Sequence, residues 1–477
     1  MSNVQPIYKG LDRVFNPRTV AVIGDKRASG YSWLKNMSTF KGKLYSVQID
    51  PGELRGIADL GVDNYPSLLH IPGPVDYVVA AVPRAIAPKI VEDCIRKEVG
   101  GVCFFTSGFA ETNTEEGIRL QRLITERARE TGLNIIGPNC MGIYNPGIGV
   151  RQFAGQVYGE AGPVGFISQS GTQAILFSTV GAIEGIKISK SVSYGNAVVL
   201  DSPDYLDFLG ADQETRIIGM YIEGVKDGKR LLHYLQKLAG KKPVVIWKGG
   251  ETDAGASAAA SHTGVLAESA LVWEAAVKQC GAIRVSNLDE MVDTVKALHY
   301  IKPPAGTRVG LIAMSGGQSV AIADTFARAG LQVPSLTQNS YRELDTFFNI
   351  IGGSYRNPFD ISSTFLASGE GISNLARMMD VMDKDPNIDC VVLELFPAFR
   401  PLGQDPKDPD PLLDAISTFN EKVSKSFMVI VTPAHTGPLA LATRDRLLGK
   451  GIPSFSNFEK GAKTLKRIAD YYSRLTN

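Results

Sequence analysis

The chain has 477 residues, and at roughly 150 residues per domain this length predicts three domains rather than one core. It carries 50 basic and 49 acidic residues, so no net charge would attract nucleic acid or an anionic membrane, and we expect neither as a partner. Apolar residues make up 44% of the sequence but form no membrane-length stretch and no signal-peptide core, and the five cysteines are scattered; together these features predict a soluble, cytoplasmic protein.

Short β-branched runs alternate with amphipathic segments of helical length, a pattern typical of parallel sheets wrapped by helices. A first set of predicted strands covers residues 19–23, 44–48, 77–82, 101–105 and 134–136. A second set covers residues 164–167, 217–222 and 243–247, and a third covers 308–313, 390–395 and 427–431. Residues 301–306, with two prolines and a glycine, are typical of a linker. The sequence therefore predicts an α/β protein with domains at 1–150, 151–302 and 303–477.

In open α/β sheets, ligands bind beyond the carboxyl ends of the strands. The loop after the first predicted strand is a glycine-bounded turn whose free amides would favour a phosphate. Its second glycine comes six residues after the first, which does not match the dinucleotide fingerprint and disfavours a dehydrogenase. Together with the loops after the third and fourth strands, it outlines a pocket for an anionic nucleotide. The candidate binding residues are Gly24, Lys26, Arg27, Ser29, Val82, Pro83, Arg84, Ser107 and Gly108.

One histidine lies in a run of small residues, Ala254 to Gly264, just after the predicted strand 243–247. Small side chains let a loop swing or lie against a partner, so this composition predicts a mobile loop with His262 as its reactive tip. The alternative is a partly exposed histidine at the start of a helix, with Ser261 and Thr263 as capping groups. Composition alone leaves both interpretations open.

Five motifs occur in an order and approximate spacing that resemble those of the nucleoside-diphosphate-forming acyl-CoA synthetases, relatives of succinyl-CoA synthetase. They are Gly137-Pro138-Asn139-Cys140-Met141-Gly142, Phe166-Ile167-Ser168-Gln169-Ser170-Gly171, Tyr194-Gly195-Asn196, Tyr221-Ile222-Glu223-Gly224 and Ser261-His262-Thr263-Gly264. The resemblance covers essentially the whole chain and corresponds to the alpha part of the family. It implies a Rossmann-like CoA-binding domain followed by two flavodoxin-like parallel-sheet domains.

The resemblance implies that His262 is the catalytic residue that becomes phosphorylated. Neutral imidazole is a good nucleophile near pH 7, and phosphohistidine can transfer its phosphate in both directions. Glu223 would orient the imidazole; its alternative is a solvated acid at a strand end. Asn139 joins the CoA-binding residues by the same resemblance. The implied phosphate-binding residues are Ser168, Gln169, Ser170, Gly171 and Thr172, where ordinary helix capping would look the same in sequence.

Two loops depart from the family pattern. Many relatives have Gly-Ala-Ser where this chain has Gly24-Asp25-Lys26-Arg27, which alters the packing against a nucleotide, although Lys26 and Arg27 could pair with CoA phosphates. In the third domain, the usual Asn-Ala-Gly-Gly-Pro is replaced by Met314-Ser315-Gly316-Gly317-Gln318. The expectation of an anion site there rests only on the position of this loop at the start of a predicted helix, and not on the family motif.

No segment resembles an ATP-grasp domain, no P-loop occurs, and no metal-ligand spacing is present. The resemblance thus implies an alpha-type subunit of an ADP-forming acyl-CoA synthetase, in which a separately encoded ATP-grasp beta subunit binds ATP or ADP with Mg²⁺. The assembly would be a hetero-oligomer or a homodimer of alpha chains. It would interconvert a small carboxylic acid, CoA and ATP with acyl-CoA, ADP and phosphate. The alternatives are a non-catalytic CoA or acyl-CoA sensor or scaffold and a nucleotide-independent CoA-dependent transferase; the intact His262 and Glu223 argue against a sensor.

Overall fold

The computed structural model describes residues 10–263, 270–348, 353–361, 370–397, 410–433 and 437–476, without the side chains of 259–263, 270–272 and 476. The chain divides into two compact units, Met1–Val292 and Asp293–Asn477. The first unit contains two sheets and the second contains one. Within the described residues, none of the helices combines the length and apolar character that crossing a membrane requires.

The first sheet has six parallel strands in the order β3-β2-β1-β4-β5-β6, the arrangement of doubly wound nucleotide-binding domains. The strands are β1 (Thr19–Ile23), β2 (Lys43–Val47), β3 (Asp63–Tyr65), β4 (Tyr77–Ala80), β5 (Gly101–Phe104) and β6 (Ile135–Ile136). The α-helices are α1 (Leu11–Phe15), α2 (Ser32–Asn36), α3 (Pro51–Ala58), α4 (Ala87–Lys97) and α5 (Glu115–Thr131). Short 3-10 helices include Arg27–Ser29, Arg84–Ile86 and Ala110–Thr112.

The second sheet has the order β12-β11-β10-β8-β9-β7, in which β7 is an antiparallel edge strand. Its strands are β7 (Gly142–Tyr144), β8 (Val164–Ser168), β9 (Ile188–Ser193), β10 (Ile217–Ile222), β11 (Val244–Lys248) and β12 (Ile283–Val285). The five parallel strands follow the flavodoxin order, 2-1-3-4-5. The helices are α6 (Gly171–Ile183), α7 (Ser202–Ala211), α8 (Gly228–Leu238), α9 (Asp253–Thr263), α10 (Ala270–Gln279) and α11 (Leu288–Tyr300), the last of which crosses into the second unit.

The second unit has five parallel strands that also follow the flavodoxin order. They are β13 (Val309–Ala313), β14 (Phe359–Asp360), β15 (Cys390–Leu395), β16 (Ser426–Val431) and β17 (Ser454–Phe455). The helices are α12 (Gly316–Arg328), α13 (Gln338–Leu344), α14 (Gly371–Lys384), α15 (Pro411–Lys422), α16 (Gly437–Gly449) and α17 (Phe458–Thr476). The α/β class, with a Rossmann-like sheet followed by two flavodoxin-like sheets, is confirmed.

The two sheets of the first unit share one hydrophobic core. Strands β1, β8 and β10 are buried along their whole length, as expected for parallel strands covered by helices on both faces. Phe15 of α1 stacks on Phe208 of α7 at 4.5 Å between ring centroids and meets Tyr205 edge-on at 6.4 Å. Asn145, which directly follows β7 of the second sheet, donates from Nδ2 to the Phe15 carbonyl at 2.9 Å. The core therefore continues from one sheet to the other.

Candidate active site

Three neighbouring strands of the second sheet bring the predicted catalytic loops to one edge. β10 lies between β8 and β11, with Tyr221 paired to Ser168 and Ile222 paired to Lys248. The loop after β8 leads into α6, Glu223 follows β10, and α9 with His262 follows β11. All three connections leave the carboxyl ends of their strands, which is the edge where open α/β sheets bind ligands.

Residues 253–263 are helical, so the prediction of a loop is wrong for this part of the segment. α9 runs from Asp253 to Thr263, and His262 lies in its last turn rather than at a helix start, so the alternative interpretation is wrong as well. The physical reason is that alanine has the highest helix propensity, and Asp253 in the first turn interacts favourably with the helix dipole. The side chain of His262 and residues 264–269 lie outside the described part of the chain.

The predicted phosphate-binding residues end a strand and begin a helix, but they divide into two groups. Ser168 and Gln169 are buried and hold the loop together: Ser168 Oγ donates to the Ser170 carbonyl at 2.6 Å. Ser170 caps α6 by accepting from the Gln173 amide. Gly171 and Thr172 form the first turn, where amides have no partner within the helix. The α6 N-terminus is thus the part of this loop that can receive a phosphate.

Glu223 is buried at the end of β10, where Tyr221 contacts its side chain and Gln169 its backbone. Only 8% of the residue is exposed, which excludes the solvated-acid alternative. Tyr221 donates from its hydroxyl to Glu223 Oε1 at 3.2 Å, and burial together with the nearby carboxylate raises the pKa of Tyr221. The backbone amide of Glu223 donates to Gln169 Oε1 at 2.8 Å. Gln169 therefore ties the backbone of Glu223 to the phosphate loop.

A buried lysine that sequence reasoning missed completes this edge. Lys248, the last residue of β11, donates from Nζ to the carbonyls of Glu223 at 2.7 Å and Gly249 at 2.8 Å. Its ammonium group therefore joins the backbone after β10 to the backbone after β11. The available signal was a charged residue at the end of an otherwise apolar strand.

The loop after β1 is shaped by a glycine and an acid. Gly24 has a φ of +83°, and a Cβ there would lie 2.6 Å from Val82 Cγ1 and 2.8 Å from the Ala81 carbonyl oxygen. Asp25, only 2% exposed, accepts from Ser29 Oγ at 2.8 Å and from the Leu34 amide at 2.9 Å. The acid that departs from the family pattern therefore fastens the turn to α2.

Replacing Gly24 by alanine should disturb this loop more than the same change at Gly30. Both glycines have positive φ, but a Cβ at Gly30 would meet nothing within 4 Å. We expect Gly24→Ala to cost roughly 2–3 kcal/mol of unfolding free energy and to weaken CoA binding at least tenfold, and Gly30→Ala to cost about 1 kcal/mol with CoA affinity unchanged. Denaturant unfolding and calorimetric titration with CoA measure both. Equal effects of the two substitutions would contradict the steric argument.

The side chains of Lys26 and Arg27 are exposed beside this turn. The Arg27 amide donates to Glu53 Oε2 at 2.7 Å, and Tyr31 donates to the same oxygen at 2.6 Å. The Tyr31 hydrogen bond, followed by that of the Arg27 amide, lowers the pKa of Glu53. The carboxylates of Asp25 and Glu53 thus hold the backbone of the loop, while the side chains of Lys26 and Arg27 remain exposed to solvent.

The loops after β4, β5 and β6 are linked to one another. Thr106 donates to the Val82 carbonyl at 2.6 Å, the Arg84 guanidinium donates to the Gly108 carbonyl, and the Asn139 amide donates to the Thr106 carbonyl at 2.9 Å. Arg84 is therefore engaged in fixing the loops. Two other candidates of this group, Pro83 and Ser107, are exposed. The structure places all the predicted CoA-binding residues on the loops at one edge of the first sheet.

The amide of Gly108 already has a partner within the protein. Glu111 Oε1 accepts from the Gly108 amide at 2.5 Å and from the Phe109 amide at 3.1 Å. Sequence reasoning missed Glu111; the available signal was a glutamate three residues after Gly108, the spacing at which a carboxylate reaches back to a backbone amide in a capping box. The amides of the loop after β1 also have partners: that of Gly24 donates to the Val47 carbonyl at 3.1 Å and that of Arg27 to Glu53 Oε2, so the expectation of free amides there is wrong. The groups this edge presents to a ligand are the exposed side chains of Lys26 and Arg27, whereas the Gly108 amide would have to exchange its carboxylate for a ligand.

The third sheet has a comparable loop after β13, in the second unit. Ser315 caps α12 by accepting from the Gln318 amide. Glu394 of β15 is fully buried and accepts from the Met314 amide at 3.0 Å and from Gln318 Nε2 at 2.7 Å. Burial raises the pKa of Glu394.

Comparison with known proteins agrees with this arrangement. Residues 18–146 match the family model of a CoA binding domain, and residues 161–298 match that of a succinyl-CoA ligase like flavodoxin domain. The alpha subunit of acetate–CoA ligase (ADP-forming) II from Pyrococcus furiosus is 34% identical over 94% of this chain and 95% of its own length. The chain belongs to the family of ADP-forming acyl-CoA ligases. The family resemblance of the five motifs is confirmed.

Other ADP-forming acyl-CoA ligases extend the match. Acetate–CoA ligase (ADP-forming) I from Archaeoglobus fulgidus is 35% identical over 97% of this chain, which spans 64% of that longer protein. A dinucleotide-forming acetyl-coenzyme A synthetase 1 from Ca. Korarchaeum cryptofilum, solved in complex with phosphate and ADP, superposes with a TM-score of 0.83. That structure is 28% identical, and the match covers 97% of both chains. The similarity to this ligase family therefore includes the third sheet.

Proposed function

We propose that this chain is the alpha-type subunit of an ADP-forming acyl-CoA ligase and that it transfers phosphate through His262. Acyl-CoA and phosphate would give acyl phosphate and CoA; His262 would then take the phosphoryl group and release the carboxylic acid. ADP would finally accept the phosphoryl group to form ATP and regenerate the imidazole. The single observation that carries the proposal is the meeting of the α6 N-terminus, Glu223 and α9 at one edge of the second sheet.

Each group at this edge has chemistry that suits one part of the transfer. Phosphoryl transfer depends mainly on positioning and on charge stabilisation. The amides at the start of α6 would bind the phosphate, and the buried Glu223 carboxylate would orient the imidazole of His262. The fixed positive charge of Lys248, on the next strand, supports the Glu223 backbone. This arrangement favours a reaction centre over a passive CoA sensor.

The proposed division of labour follows the three predicted domains. Residues 1–150 would bind CoA, residues 151–302 would carry the phosphoryl group, and residues 303–477 would form a second flavodoxin-like ligase domain. The loop at Gly24 and the cations Lys26 and Arg27 would meet the CoA phosphates. The acid substrate would be small, and acetate is the natural first choice because several relatives are acetate–CoA ligases.

We further propose that ATP or ADP, with Mg²⁺, binds on a separately encoded ATP-grasp partner in a cytoplasmic assembly. Two relatives are alpha subunits of nearly the same length as this chain, which supports a partner. The longer Archaeoglobus fulgidus protein has additional sequence beyond the region matched here. Among the described residues, no group of three or more His, Cys, Asp or Glu side chains is placed to hold a metal ion.

The direct test is intact-mass spectrometry of the purified chain after incubation with acetyl-CoA and phosphate. We expect one added phosphoryl group, located on the His262 peptide when peptides are mapped under mildly alkaline conditions. Adding ADP, Mg²⁺ and the ATP-grasp partner should remove that group and form ATP. A chain that binds CoA but never becomes phosphorylated, from acetyl-CoA or from ATP with the partner, would contradict the proposal.

A further inference from the structure

Glu111 contacts two parts of the molecule that belong to different sheets. It lies in the 3-10 helix Ala110–Thr112, directly after the candidate CoA loop that follows β5. Its Oε1 accepts from the amides of Gly108 and Phe109, and its Oε2 accepts from Asn196 Nδ2 at 2.7 Å. Asn196 follows β9 of the second sheet. One carboxylate therefore connects the CoA loop to the sheet that carries the phosphate site.

The orientation of the Asn196 amide follows from its partners. An ionised carboxylate can only accept hydrogen bonds, so the NH₂ group of Asn196 must face Glu111. Gln121 Oε1 accepts from the same Nδ2 at 3.1 Å. The Asn196 backbone is fixed as well, because its amide donates to the Pro138 carbonyl at 3.0 Å, and a Cβ at Gly195 would lie 2.3 Å from that oxygen. Glu111 thus contacts a rigid turn beside the Asn139 loop.

The helix that carries His262 lies against the same 3-10 helix. Cα atoms of α9 and of Ala110–Thr112 lie within 8 Å of each other. The Glu111 carboxylate fastens this 3-10 helix on one side to the CoA loop and on the other side to Asn196. We propose that Glu111 is a positioning residue that sets α9, and with it His262, relative to bound acyl-CoA. The inference rests on the proposed function and adds to it a residue that the family motifs did not single out.

The proposal predicts that the rate of phosphoryl transfer and the affinity for CoA respond differently to Glu111→Gln. Glutamine Oε1 can still accept from the Gly108 and Phe109 amides, but its NH₂ group would face the NH₂ group of Asn196. We expect single-turnover formation of phosphohistidine from acetyl-CoA and phosphate to slow by about 10- to 100-fold, because small misplacements of a reacting group have effects of this size. The dissociation constant of CoA should change by less than about threefold.

A second substitution tests whether the lost hydrogen bond is the cause. In the double variant Glu111→Gln, Asn196→Asp, the glutamine can donate to the new carboxylate, so the link is restored with reversed polarity. We expect the double variant to regain most of the lost transfer rate. Glu116→Gln is the matched control, since Glu116 is 48% exposed and pairs with Arg119 on the first turn of α5. This control should leave both rate and affinity unchanged.

Two results would overturn the inference while leaving the proposed function intact. One is a wild-type transfer rate in Glu111→Gln. The other is a loss of rate and of CoA affinity by the same factor, together with a lowered melting temperature and no recovery in the double variant, which would indicate a structural role only. If the wild-type chain itself forms no phosphohistidine, the proposed function fails and this inference falls with it.

Discussion

Replacing His262 by alanine should abolish phosphoenzyme formation and ligase activity while leaving CoA binding within about twofold of wild type. Alanine has no nucleophile, yet it is the residue with the highest helix propensity, so α9 should persist. The candidate CoA residues lie on the first sheet and on its loops, whereas His262 lies in α9 of the second. Intact-mass spectrometry and calorimetric titration with CoA measure the two properties separately.

The matched control is His233→Ala, which removes an exposed histidine on α8. This control should become phosphorylated at the wild-type rate. If the His262→Ala chain still acquires a phosphoryl group from acetyl-CoA and phosphate, another residue carries the phosphate and the assignment is wrong. If it loses CoA binding as well, α9 would be part of the CoA site rather than only its neighbour.

Replacing Glu223 by glutamine should slow phosphorylation of His262 by about 10²- to 10⁴-fold. Glutamine keeps the shape of the side chain, and its amide oxygen can still accept from the Tyr221 hydroxyl, so the change mainly removes the negative charge. That charge is what would orient the imidazole and stabilise it as it becomes cationic. Rapid-quench measurement of phosphohistidine formation gives the rate, and CoA affinity should stay the same.

Glu251→Gln provides a matched control in the neighbouring loop. Glu251 follows β11 and pairs with Arg284 at 2.9 Å, so its loss removes a partly exposed ion pair with an effect below about 1 kcal/mol. We expect its phosphorylation rate to remain close to wild type. If the Glu223→Gln variant is phosphorylated at the wild-type rate, the negative charge is not needed. The role of Glu223 would then be structural, through its hydrogen bond with Tyr221 at the end of β10.

Much of the fold could be predicted because its central strands are continuous apolar runs. Residues 217–222 were predicted as a strand and form β10, and the helix beginning after Ser170 was expected from its capping residues. β9 was missed because its sequence contains Lys190, which is 2% exposed and neutralised by Asp212 and Glu214. The burial of Lys190 depends on acids more than 20 residues away in sequence, so residues 188–193 alone do not indicate that they form a buried strand.

The sequence indicated which loops form the candidate site, but it did not indicate which side chains contact one another there. The five motifs identified the loops, and strand pairing brought three of them together. The helix at His262 was not predicted because glycine and serine in this segment favour a loop, whereas its alanines favour a helix and prevail in residues 253–263. Glu111, Gln169 and Lys248 act through partners 25 to 85 residues away, and such pairs cannot be found in a single sequence.

The packing of Phe15 against Tyr205 and Phe208 has a thermodynamic consequence. Because one core continues through both sheets of the first unit, they should unfold in a single cooperative step rather than one after the other. A ligand that binds only the folded state stabilises everything that unfolds with its site, by mass action. CoA held by the first sheet would therefore raise the free energy of the global unfolding that also destroys the second sheet, so the phosphate site would gain stability from a ligand that it does not itself bind.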